Sequence, residues 1–337
     1  MFLLIALLAL IASWFFATAV VNESTDSELS EEFPAAFYDR VLLERAKPWL
    51  VHGQFGQMRP LPANNGKVLD FRKFNVFAPA VTALTEGSPG NGQQLNPTHV
   101  QATIAQYGDY VKGTDVLVLT AIDPILVETA EMLGDQAGLT LDNICSDVLR
   151  AGTTIQYANG RAGRAYLQSD DYLTVDEIRK AVRTLKRNKA RPLPDGSYIG
   201  IVEPGATYDL QDDILWQDAA KYAGSTQLFS GEIGRIFGVR FIETNATDEN
   251  DVSVALIDAT SGVGDLVPVY GTLILGQNAY GTVPLTGGNL QFIFKSLGSA
   301  GAADPLNQVW TSGWKVMETY KILQELWILR IEHAMSG

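Results

Sequence analysis

Residues 123–152 read DPILVETAEMLGDQAGLTLDNICSDVLRAG, and both ends carry helix punctuation. Asp123 can accept from the free amides of a first turn, Pro124 suits the first helical position, and Gly152 can take the left-handed conformation that stops a helix. Between them Leu126, Ala130, Leu133, Ala137, Leu141, Ile144 and Val148 recur in steps of three and four. The spacing predicts one helix of roughly 40 Å with a continuous apolar seam, which serves equally a structural spine, an ordinary core helix or a coiled coil. Gly134 and Gly138 each cost about 1 kcal/mol against Ala in a helix interior, so they point to a bend or a close neighbouring backbone. Cys145, beside Ile144, is expected to be a small core residue.

Upstream, residues 61–111 change character. Lys67 to Phe74 reads as a strand, Val100 to Val111 as a returning strand, and the stretch between them is rich in Pro, Gly and Asn. Two strands joined by a long polar loop predict an extended hairpin that buries little by itself and needs something to lie against. From Phe33 to Leu50, Phe37, Val41, Leu42 and Ala46 keep helical spacing until Pro48 stops it. Asn22 to Glu32 carries Glu23, Asp26, Glu28, Glu31 and Glu32 and reads as a solvated linker. Met1 to Val21 has no charged side chain, is long enough for a membrane span, and ends near the cleavage-like Ala17-Thr18-Ala19, but lacks the basic start of a secretory signal. A buried apolar arm is the other reading of that run.

Downstream, Thr174 with Glu177 has capping-box spacing ahead of Val175, Ile178, Val182 and Leu185, a clear amphipathic helix. Its other face carries Arg179, Lys180, Arg183, Lys186 and Arg187, continued by Lys189 and Arg191, the one dense basic cluster. A solvated face is the commoner meaning of such a run, a contact with phosphate or an acidic partner the rarer one. Ser197 to Val202 and Gly238 to Thr244 read as strands and Pro204 to Leu210 as a short helix, an α+β unit. Trp314, Met317, Tyr320, Leu323, Trp327 and Ile331 fit a helical period, although their aromatic and branched side chains also suit a strand.

The chain has 337 residues, one cysteine, and 38 acidic against 25 basic side chains, for a net charge of −13. That length holds about two domains or one elaborated one. A single thiol excludes a disulfide scaffold and a cysteine-rich zinc site. The acidic balance opposes a surface that coats nucleic acid, so any DNA nearby is contained rather than gripped. His52, His99 and His333 are far apart in sequence, and no HExxH, nucleophile elbow, phosphate loop or dinucleotide fingerprint occurs. Gly231 to Gly234 and Gly262 to Asp265 read as glycine turns. Asp170-Asp171 and Asp212-Asp213 are adjacent pairs without the facing geometry of two catalytic carboxylates. No catalytic, cofactor-binding or metal residue is therefore assigned, and no cofactor is expected. Asn245-Ala246-Thr247 matches a glycosylation triplet that matters only in an exported chain.

Ordered blocks along residues 35 to 333 carry a resemblance. Tyr38-Asp39-Arg40-Val41-Leu42-Leu43-Glu44-Arg45-Ala46-Lys47-Pro48, Gln54-Phe55-Gly56-Gln57, Gly66-Lys67 with Phe71-Arg72-Lys73-Phe74, and Leu84-Thr85-Glu86-Gly87 open it. Gln106 to Val111, Leu119 to Pro124, Asp176 to Ala181, Gly231 to Ile236 and Ala303 to Gln308 continue in the same order. The chain resembles the N4-like major capsid proteins of tailed bacteriophages. The resemblance implies the HK97-like capsid fold, α+β, with an N-terminal arm over 1–60, an E-loop hairpin over 61–111, a peripheral domain over 112–172 and 301–337 built on the long helix, and an axial domain over 173–300. It also implies a long strand at residues 314–331. The expected role is structural and not enzymatic: self-assembly into hexamers and pentamers of an icosahedral shell around double-stranded DNA, with portal and scaffold proteins as further partners. The expected location is the virion capsid, assembled in the host cytoplasm, with no membrane in the mature shell unless the N-terminal segment is retained. An encapsulin-like compartment, or an exported or membrane-tethered binding protein or enzyme, is the alternative.

Overall fold

The computed structural model describes residues 37–74, 77, 79–81, 83, 86–87, 92–120, 124–217, 232–244 and 268–336. The expectations for residues 1–32, for Asp123 as a cap, for the triplet at 245–247 and for the glycine turn at 262–265 lie outside them. Thirteen strands are described: β1 (Gln57–Met58), β2 (Val68–Phe74), β3 (Pro97–Thr103), β4 (Ala105–Thr114), β5 (Ile155–Tyr157), β6 (Tyr198–Val202), β7 (Glu232–Ile236), β8 (Val239–Glu243), β9 (Tyr270–Leu275), β10 (Tyr280–Pro284), β11 (Gln291–Lys295), β12 (Val309–Ile322) and β13 (Ile328–His333).

The long helix spans Ile125–Arg150, 26 residues or about 39 Å. Of the expected seam Ala130, Leu133, Ala137 and Leu141 are buried, while Leu126, Ile144 and Val148 are half-buried and the buried line continues instead through Cys145 and Leu149. The end differs from the expected left-handed glycine. Ala151 is right-handed and donates to Asp147, while the Gly152 amide turns back to Leu149 O at 3.2 Å, so a tightened last turn takes up the carbonyls without a positive φ. A helix over residues 37–46, followed by a single 3₁₀ turn at Lys47–Trp49 with Pro48 inside it, lies along the long helix. The two glycines explain how closely. A Cβ on Gly134 would stand 2.8 Å from Leu42 O, and one on Gly138 would stand 2.6 Å from Ala46 O, so both positions admit the neighbouring backbone.

β12 organises one sheet. Its residues 309–318 pair antiparallel with β4, while on the other edge 311–315 pair with β11 and 318–322 with β10, which in turn carries β1. Trp310, Ser312, Trp314 and Val316 are buried at every second position and Tyr320 continues the same face past the half-buried Glu318, a period of two. Its aromatic positions satisfy a helical spacing as well; hydrogen-bonded neighbours on both edges decide for the strand, as the resemblance implied. The segment breaks at Leu323, so the expected run is two strands, β12 and β13. Trp314 and Val316 pack with Leu133, Ala137 and Leu141 of the long helix and Leu42 of the arm helix.

The second sheet has the order β5-β13-β9-β6-β8-β7. Alternate residues enter opposite cores. Tyr198, Val202, Ile274, Leu329 and Ile331 pack with the helix Val175–Arg187 and the short helix Pro204–Asp212, while Ile199, Ile201, Leu273, Leu275 and Ile328 meet Cys145 and Leu149 at the end of the long helix. Burial on both faces explains the unbroken apolar run Tyr198–Val202. The long helix thus touches both sheets and ties their cores together. Thr174 caps the helix Val175–Arg187, its hydroxyl accepting from the Glu177 amide at 3.4 Å.

Two further expectations change. The returning strand predicted over 100–111 is divided at Ile104: β3 pairs with β2, whereas β4 leaves for β12, because its backbone groups find their partners there. The stretch expected as a glycine turn at 231–234 runs instead as β7 from Glu232, paired with β8 through an irregularity at Gly234. Strand pairing also crosses the ranges expected for domains. β10 and β11 join β12, and β5 and β13 join β6, β8 and β9.

Candidate assembly surfaces

The hairpin β2–β3 is a sheet by itself, registered from Val68 opposite Thr103 to Phe74 opposite Pro97. Seven residues per strand give it a rise of about 23 Å. Two strands alone are marginal in water. The base is fastened to the body: Phe71 and Ala102 pack with Leu61 and Val283, the Arg59 guanidinium lies 5.8 Å from the Phe71 ring, and the Lys73 ammonium donates to Gln324. Beyond Phe74 every described residue from 77 to 99 is exposed, including Phe77, Leu95 and Val81, the last at 89%. Nothing described in the chain itself covers this flap.

A second uncovered surface follows β4. In the helix Asp115–Thr120 no residue is buried, although Val116, Leu117, Val118 and Leu119 are consecutive and apolar, with Leu119 at 84% exposure. A helix apolar on all sides is normally interior, so its exposure here marks a contact surface. Tyr110 and Val111 on β4 are exposed as well, and a cavity of ≈ 380 Å³ opens on the face of the sheet formed by β4, β12 and β11, lined by Tyr107, Tyr110, Ile293 and Trp314. Sequence reading missed this surface; the Val-Leu-Val-Leu run was its signal.

The titratable groups are spent on holding the body rigid. Asp142, buried on the long helix, accepts from His52 Nδ1 at 2.7 Å and from the amides of Val51 and His52 at 2.8 and 2.7 Å, fixing the arm to the spine. Glu332, fully buried, takes a two-pronged contact from Arg164 at 2.9 and 2.7 Å and a third from Arg330 at 2.9 Å. Burial pushes the Asp171 carboxyl up, but hydrogen bonds from Arg161, the Gln168 amide and Asn159 outweigh it and leave it below the ordinary range. Burial raises the Glu318 carboxyl and the Cys145 thiol, the latter packed as a small apolar group. His333 is enclosed between Thr272 Oγ1 at 2.9 Å and Ala334 O at 2.8 Å, and burial pushes its pKa down to about 4. His99 sits on the hairpin, 2.7 Å from Asp70. The three histidines are thus not brought together. Of the adjacent acidic pairs, Asp171 holds a loop and Asp213 accepts the Val175 amide at 2.9 Å. Among the described residues no group of three or more His, Cys, Asp or Glu could hold a metal ion.

The basic cluster occupies the outer face of the helix Val175–Arg187. Asp176 pairs with Arg179 at 3.7 Å and with Lys180 at 3.1 Å. Arg183, Lys186 and Arg187 are exposed.

No family model matches the chain, and no curated protein matches it in sequence. Solved structures do. The cyanophage Pam1 capsid asymmetric unit aligns with a TM-score of 0.66 at 13% identity, covering 88% of this chain and 93% of that one. The capsid of Ralstonia phage GP4 gives 0.63 at 13% identity, covering 84% and 88%. The head structure of Helicobacter pylori bacteriophage KHP40 gives 0.60 at 12%, covering 83% and 88%. The chain therefore has the α+β, HK97-like fold of bacteriophage capsid proteins.

Proposed function

We propose that this chain is the major capsid subunit of a tailed bacteriophage of the N4-like group. It is a structural protein, not an enzyme, that assembles with copies of itself as hexamers and pentamers into an icosahedral shell around double-stranded DNA. The observation that carries the reading is a near full-length likeness in fold to several phage capsid proteins. The uncovered hairpin and the uncovered apolar helix support it, because both surfaces need a partner and a second copy supplies one at every lattice position. The N4-like placement rests on the ordered sequence blocks alone. In this reading residues 1–60 form the N-terminal arm, 61–111 the E-loop, 112–172 with 301–337 the peripheral domain and 173–300 the axial domain. β10 and β11 then complete the peripheral sheet, and β5 and β13 complete the axial one.

The mechanism is association. Head-to-tail contacts that close into rings and curved lattices add many modest interfaces, so each pair can be weak. A net charge of −13 suits a container that does not adhere to its contents, since carboxylates repel phosphate. Portal and scaffold proteins are the further partners, with assembly in the host cytoplasm and residence in the virion. The test is negative-stain microscopy of the purified chain, alone and with a scaffold. Large closed particles are expected; a folded species that stays monomeric under assembly conditions overturns the reading.

A further inference from the structure

We propose that the basic cleft on the outer helix of the six-stranded sheet receives the acidic segment 22–32 of a second copy of this chain. The inference builds on self-association but concerns a contact that the shell reading does not require.

The cleft is a shallow, open depression of ≈ 490 Å³ bordered by Arg179, Arg183, Lys186 and Arg187, with Val182 and Phe237 at its base. Arg183, Lys186 and Arg187 are exposed and have no carboxylate partner among the described residues, whereas Arg179 and Lys180 of the same helix pair with Asp176. Three such cations within five positions of one helix concentrate positive charge on a chain of net charge −13. The floor adds an independent mark. Phe237 sits in the tight turn between β7 and β8 at φ 48°, followed by Gly238 at φ 81°. A turn with two successive positive φ values favours Asn-Gly, and a bulky residue at the first position costs about 1–2 kcal/mol. The ring so held is half exposed, with the Arg179 guanidinium 5.2 Å from its centre. The site therefore offers cations for carboxylates and an aromatic face for an apolar side chain.

Residues 22–32 match on both counts. They contain five acidic side chains and no basic one, with Leu29 among them and Phe33 next in line. Guanidinium groups bind carboxylates in pairs of hydrogen bonds, and the apolar residues meet Val182 and Phe237. The donor is a neighbour. The arm helix begins at Phe37 beside the N-terminal half of the long helix, and the cleft lies on the far side of the sheet reached by that helix at its other end. From Ala130 to Leu149 is already about 28 Å along the axis, whereas Glu31 and Glu32 can reach no farther than about 22 Å from Phe37 at full extension, so this acidic pair meets the cleft only on another copy.

The test mixes equal amounts of isotopically light and heavy full-length chain under assembly conditions, applies a zero-length carbodiimide coupling and reads peptides by mass spectrometry. Mixed-isotope links from Glu28, Glu31 or Glu32 to Lys186 or Lys189 are expected, falling about tenfold in 1 M salt or when Arg183→Ala and Arg187→Ala are combined. Microscopy of the same sample reports particles separately. If particles form but residues 23–32 couple elsewhere or only within one chain, the docking falls and the shell stands. If no particles form, the soluble chain is read the same way, and a missing inter-chain link overturns the docking. A single-stranded thymidine 20-mer that shields Lys186 while the acidic segment couples nowhere near it makes the cleft a nucleic-acid site and likewise overturns it.

Discussion

His333 has no exposed surface and keeps its imidazole neutral between Thr272 and a carbonyl, with burial lowering its pKa from 6.5 to about 4. In the unfolded chain the same ring protonates near 6.5, so between those values the unfolded state binds the extra proton. Stability must therefore fall as pH drops from 6.5 towards 4 and be unaffected by this group above 6.5; the full effect is about 3 kcal/mol. Urea midpoints of the wild type and of His333→Gln, measured across that range, should converge as pH falls, the variant being the flatter. A parallel pair of curves rejects the assignment. Nothing about His333 was legible in its neighbours, because its enclosure depends on Thr272 from a different part of the sequence. Cys145 was legible: a small residue on a periodic apolar seam has little else to do. Phe237 stood between the two extremes, since Phe-Gly gives a turn signal but not the exposure of the ring.

The contact between the arm helix and the long helix is the clearest case of sequence pattern becoming packing. Gly134 and Gly138 weaken the long helix locally, and the offset is the close seat of residues 42–46. Gly138→Ala should gain about 1 kcal/mol of helix propensity yet lose more, because the new methyl meets the backbone at Ala46 and not a flexible side-chain tip. A net loss of about 1–3 kcal/mol in chemical denaturation is expected, together with faster proteolysis between residues 37 and 55. A stabilised, equally resistant variant would show that the arm helix yields without cost. The long helix, the capped basic helix and the strands β2, β6 and β8 were legible because periodicity and turn signals are local, whereas β1, β5, β9, β10 and β11 were not expected from the sequence. The division of residues 97–114 between two sheets was not, since it is decided by β12, which lies two hundred residues on. The same holds for β12 itself, whose side chains satisfy both periods until its neighbours are known.

At the scale of the molecule, the body and the flap separate cleanly in what they need. The body closes its own cores, while residues 76–98 contribute no buried side chain among those described. Removing 76–98 should thus leave the helical circular-dichroism signal and the thermal transition of the body nearly unchanged and abolish shells in micrographs. Normal particles from the deletion would mean that the flap is dispensable for tiling. The placement of the last strands has a consequence for biosynthesis. β12 stands between β4 on one side and β10 with β11 on the other, and β13 stands between β5 and β9, so neither sheet can close until residues 309–333 have left the ribosome. Partly translated chains consequently lack the finished sheets, and on the proposed role a nascent chain presents no completed assembly surface to its neighbours on the same messenger.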